Sequence, residues 1–76
     1  MNAAGLKEFE AKASAGIRQA IKKANESEVM GLSELALTNG IHKYRSELMK
    51  ETGDFYWYRW NAEKQQVSYI KEDNDG

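Results

Sequence analysis

The order of patterned segments predicts an α+β fold, three helices followed by a C-terminal β-hairpin. Three observations carry it. Apolar residues recur at three- and four-residue steps from Leu6 to Ala24; a second such spacing joins Ile41, Tyr44 and Leu48; and an aromatic run over 55–60 is followed by the alternating stretch 65–70. With 76 residues there is material for one core and one domain, here 1–71, with 72–76 as an acidic tail.

The first helix is expected over residues 4–25. Leu6, Phe9, Ala13, Ile17, Ala20, Ile21 and Ala24 form one stripe, while Lys7, Glu8, Arg18 and Lys22 face water. Gly16 costs this helix about 1 kcal/mol relative to Ala, so it marks a kink or a close contact. The polar Asn25-Glu26-Ser27-Glu28 ends the helix, and Val29-Met30-Gly31-Leu32 reads as a buried connection or a stub of strand. Ser33 is placed to cap a short second helix through Thr38, with Glu34 complementing the dipole. Asn39-Gly40 then takes the left-handed conformation that terminates helices.

A third helix is expected from Ile41 to Gly53. Ile41, Tyr44 and Leu48 share one third of its circumference. The opposite side presents His42, Lys43, Ser46 and Lys50, flanked by Arg45, Met49 and Glu47. Residues 55–60 hold five aromatics in six positions, which suits a pleated strand. Residues 65–70 form its partner, and Asn61 starts a type I turn by accepting a hydrogen bond from its own backbone. Alternation places Phe55, Trp57 and Arg59 on one face and Tyr56, Tyr58 and Trp60 on the other. One face meets the helices, and the other is left for a partner.

Eleven Lys and Arg against twelve Asp and Glu leave a net charge of −1, so bulk electrostatics alone does not bind nucleic acid. Glu72, Asp73 and Asp75 lie in the last five residues, leaving residues 1–71 with nine acids and eleven bases. The body is mildly basic and the acidic tail is expected to be disordered. Without cysteine there is no disulfide, thiolate metal site or cysteine nucleophile, which fits a cytoplasmic chain. No apolar run is long enough to span a membrane. His42 is the sole histidine and has no metal or Ser-His partner, and the nucleotide, zinc-protease and serine-hydrolase motifs are absent. Neither an enzyme nor a cofactor is expected.

Residues 29–70 resemble a winged helix-turn-helix domain. The resemblance is carried by Leu32-Ser33-Glu34-Leu35-Ala36 at the start of the second helix, Gly40 and Ile41 at the turn, and the hairpin as wing. It implies a small DNA-binding transcriptional regulator whose third helix enters the major groove of double-stranded DNA. The implied contacts are His42, Lys43, Arg45, Ser46 and Lys50, with Lys64 at the wing tip. A homodimer is expected, because one recognition helix gives limited affinity. The alternative is a protein-binding adaptor or inhibitor that grips its partner with Tyr56, Trp57, Tyr58, Arg59 and Trp60, residue types that dominate interface hot spots.

Overall fold

A computed structural model describes residues 2–72. Helix α1 spans Ala3–Glu26 and helix α2 spans Leu32–Thr52; strands β1, Tyr56–Asn61, and β2, Gln66–Lys71, form an antiparallel hairpin. The α+β order of helices followed by a hairpin is as expected. The number of helices is two, not three. The acidic tail beyond Glu72 lies outside the described residues.

Helix α1 follows its apolar stripe. Phe9, Ala13, Ile17 and Ala24 are buried, whereas Lys7, Glu8, Arg18 and Lys22 are exposed. Asn2 caps it, its Oδ1 accepting from the Gly5 backbone N–H at 2.8 Å. The segment after α1 corrects the expected buried connection: Val29 and Met30 lie in a turn and are exposed. Helix α2 opens at Leu32 with Gly31 as N-cap at φ 80°, so Ser33 sits inside the first turn rather than capping it.

The larger correction concerns Asn39-Gly40. Helix α2 passes through both residues without a break, so the turn of a helix-turn-helix is not formed there. Gly40 serves packing instead: a Cβ on it would stand 3.0 Å from Ile17 Cγ1. One turn along α2, Tyr44 lies over Gly16 of α1, where a Cβ would fall 2.0 Å from its phenol oxygen. The two helical glycines therefore let α1 and α2 approach closely, and this contact offsets their low helix propensity. What stands of the resemblance is the coarser topology of helices followed by a hairpin.

The hairpin lies along both helices. Tyr58 pairs with Tyr69 and Trp60 with Val67, directing Tyr56, Val67 and Tyr69 into the core with Phe9, Ala13, Ile17, Ile41 and Leu48. Phe9 meets Tyr44 and Tyr69 edge-on, at centroid separations of 6.3 and 6.0 Å. Along the edge of β2, the Val67 N–H donates to Ser14 Oγ at 2.9 Å and the Tyr69 N–H to Glu10 Oε2 at 2.7 Å. These are successive outward N–H groups of one strand, met by side chains one turn apart on α1. The Tyr69 hydroxyl donates to the Ile41 carbonyl at 2.9 Å, tying β2 to α2. Asn61 bonds as expected, its Oδ1 accepting from the Lys64 N–H at 2.9 Å, but it also pairs with Gln66 at the end of β1, so the turn spans 62–65 rather than 61–64.

Candidate functional site

The pairing register divides the hairpin into two faces. Tyr56 is buried, Trp60 is half-buried and Tyr58 leans its ring edge toward His42, all on the helix-facing side. The outer side consists of three cross-strand rungs: Phe55 with Glu72, Trp57 with Ile70, and Arg59 with Ser68. The first of these is anchored by the Glu72 N–H donating to the Phe55 carbonyl at 2.9 Å. Phe55 is 61% exposed, Trp57 58% and Ile70 50%, so the middle of a regular sheet face presents contiguous apolar surface to water.

Arg45 orders this surface. It leaves α2 toward β1, where its Nε donates to the Tyr56 carbonyl at 2.5 Å and its guanidinium carbon stands 5.6 Å from the Trp57 ring centroid. The cation supports one side of the indole and leaves the rest free. Lys71 pairs with Asp54 at 3.5 Å at the base of the hairpin, an exposed contact that contributes little by itself. The Thr52 hydroxyl also accepts from the Asp54 N–H at 3.2 Å, holding the link between α2 and β1. The outer face is thus a shaped platform mounted on a bonded frame.

The residues named from sequence for DNA fall in three environments. Lys43, Ser46 and Lys50 are exposed on the outward side of α2, uncovered by α1 or the hairpin; Glu47 and Asn39 share that side. His42 is exposed with its ring against Tyr58. Arg45 is half-buried and turned to β1, and Lys64 is exposed in the hairpin turn. Of the residues named for a protein interface, Trp57 and Arg59 share the outer face, while Tyr56, Tyr58 and Trp60 lie on the other side of the sheet. Phe55 and Ile70 belong to the outer platform without having been named. Alternation from Trp57 points to Phe55, but Ile70 follows only from the register across the hairpin.

Burial raises the Tyr69 hydroxyl well above the ordinary phenol range, and the neighbouring Tyr44 and Glu10 add to the effect. This group is bonded inside the core and belongs to the frame, not the platform. Among the described residues no cluster of His, Asp or Glu could hold a metal ion, and no helix is long and apolar enough to cross a membrane.

Neither the protein-family models nor the curated proteins nor the solved structures contain a match to this chain. The functional reading therefore rests on its own geometry.

Proposed function

We propose that the protein is a small protein-binding module whose outer hairpin face, centred on Trp57 and Ile70, docks a partner. One observation carries this: Phe55, Trp57 and Ile70 stand together in water on a sheet whose other face already supplies the core. In a chain this small every buried aromatic adds to a thin core, so leaving a Trp and a Phe outside it calls for a role other than folding. Trp and Arg, both present on this face, are the residue types that dominate interface energetics. The reading is that of an adaptor or inhibitor, a binder and not an enzyme.

The rival reading is DNA binding through α2, favoured by the uncovered Lys43, Ser46 and Lys50. It has two lysines, a nearby Glu47 and no helix-turn-helix break to support it, so its electrostatic footprint is small. The two readings separate by substitution. Fragments selected from a displayed protein library on the immobilised chain are titrated against Trp57→Ser/Ile70→Ser and against Lys43→Glu/Lys50→Glu. A loss of tenfold or more with the first variant alone supports the platform. Fragments that bind that variant at full strength overturn the proposal, as does a chain that neither retains a library fragment nor associates with itself. A duplex affinity that falls steeply with salt and vanishes in Lys43→Glu/Lys50→Glu assigns the function to α2 instead.

A further inference from the structure

The pattern on the outer face says more than that it is apolar. Its three rungs run in order along the hairpin: Arg59 with Ser68 toward the turn, Trp57 with Ile70 in the middle, Phe55 with Glu72 at the base. Among the described residues neither Arg59 nor Glu72 is engaged in an ion pair within the chain. The rungs are therefore cationic, apolar and aromatic-acidic. That series is complementary to its own reverse.

We infer that the partner is a second copy of this chain, stacked face to face with strands antiparallel about a two-fold axis through the Trp57–Ile70 rung; this inference rests on the reading above. Rotation about such an axis lays Trp57 and Ile70 against the same pair in the other copy. It also brings each Arg59 over the base rung of the opposite hairpin, where the Phe55 ring and the Glu72 carboxylate both attract a guanidinium. The arrangement is isologous, as a closed dimer requires, and makes the charged contact twice. Two sheets packed in this way stand about 10 Å apart with interleaved side chains, a spacing that Trp, Phe and Ile fill.

The size of the patch sets the strength. Phe55 and Trp57, at roughly 150–250 Å² per side chain and about three-fifths exposed, offer on the order of 200–300 Å² per copy. Even with Ile70 and Arg59 added, this lies below the roughly 800 Å² per partner of a standard interface. The dimer is accordingly weak, with a dissociation constant on the order of 0.1 mM.

Sedimentation equilibrium of the full chain, over concentrations bracketing that value, reads the association directly. The expected result is a monomer–dimer equilibrium weakened at least tenfold by Arg59→Glu, by Glu72→Arg and by Trp57→Ser. The double variant Arg59→Glu/Glu72→Arg restores it, because the reversed charges meet again across the two-fold. All three substitutions fall outside the buried core, and unchanged far-UV circular dichroism of the four variants verifies the fold. A chain that stays monomeric throughout overturns the inference, as does a dimer indifferent to these single changes or one the double variant fails to recover. If it stays monomeric while library fragments still lose affinity with Trp57→Ser/Ile70→Ser, the platform stands and its partner is a different protein.

Discussion

Replacing Gly16 by Ala sets two effects of known sign against each other. In an exposed helix interior Gly→Ala gains about 1 kcal/mol. Here the new Cβ would stand 2.0 Å from the Tyr44 phenol oxygen, 2.8 Å from Cζ and 3.1 Å from Cε2. To restore ordinary contact near 3.5 Å the ring tip has to retreat by about 1.5 Å. Tyr44 packs edge-on against Phe9, so that movement disturbs the core; overpacking of this kind costs about 1–3 kcal/mol. The steric cost outweighs the propensity gain, and Gly16→Ala is expected to destabilise the protein by up to about 2 kcal/mol.

A double-mutant cycle isolates the cause. In Tyr44→Leu the ring tip is gone, and there Gly16→Ala is expected to stabilise by about 1 kcal/mol, its ordinary propensity value. Urea unfolding followed by far-UV circular dichroism measures all four corners. A stabilising Gly16→Ala in the wild-type background, or an effect of equal size whether or not Tyr44 is present, would refute close helix approach as the reason for glycine here.

Two further outcomes test the frame. Ser14→Ala leaves the buried Val67 N–H without an acceptor and is expected to cost about 1–3 kcal/mol in the same urea assay; a change below about 0.5 kcal/mol would show that the hydrogen bond contributes little. The raised Tyr69 hydroxyl makes the protein sensitive to alkali: it stays protonated when folded while the unfolded phenol ionises near pH 10, so stability is full below that pH and falls above it, by about 1.4 kcal/mol per unit while the folded state keeps its proton. Tyr69→Phe lowers stability at neutral pH by removing the bond to the Ile41 carbonyl, and it also reduces the slope above pH 10; an unchanged slope assigns the alkaline loss to other groups.

Helix α1 and the hairpin were legible in the sequence because their signals are local. An apolar stripe from Leu6 to Ala24 needs no partner to identify a helix, and Asn61 holds its turn through the Lys64 N–H only three residues on. Asn39-Gly40 was not legible, because a glycine that ends a helix and one that admits a neighbour look alike without the neighbour. Ile17, 23 residues away, decides the matter. The same holds for the sheet. Alternation separates Trp57 from Tyr56 but does not say which points inward; that follows from the register, which puts Tyr56 on the face of the buried Val67 and Tyr69. Helical spacing puts Arg45 on the flank of a DNA-reading face, whereas its bond to the Tyr56 carbonyl turns it toward the hairpin.

Hydrogen bonds from the helices to the hairpin also constrain how a partner can approach. A two-stranded sheet ordinarily offers two edges, and an open edge invites strand addition. Here the N–H groups along β2 are taken by Ser14 and Glu10, and on β1 Arg45 occupies the Tyr56 carbonyl, where an added strand would need a partner. Both edges are thus at least partly closed by the helices, whereas the outer face is left uncovered around Trp57 and Ile70. Association through side chains stacked on that face is consequently favoured over extension of the sheet. The difference is measurable: a stacked dimer depends on Trp57 and the Arg59–Glu72 charges, whereas an extended sheet depends on backbone hydrogen bonds and would be promoted by Arg45→Ala, which uncovers the Tyr56 carbonyl.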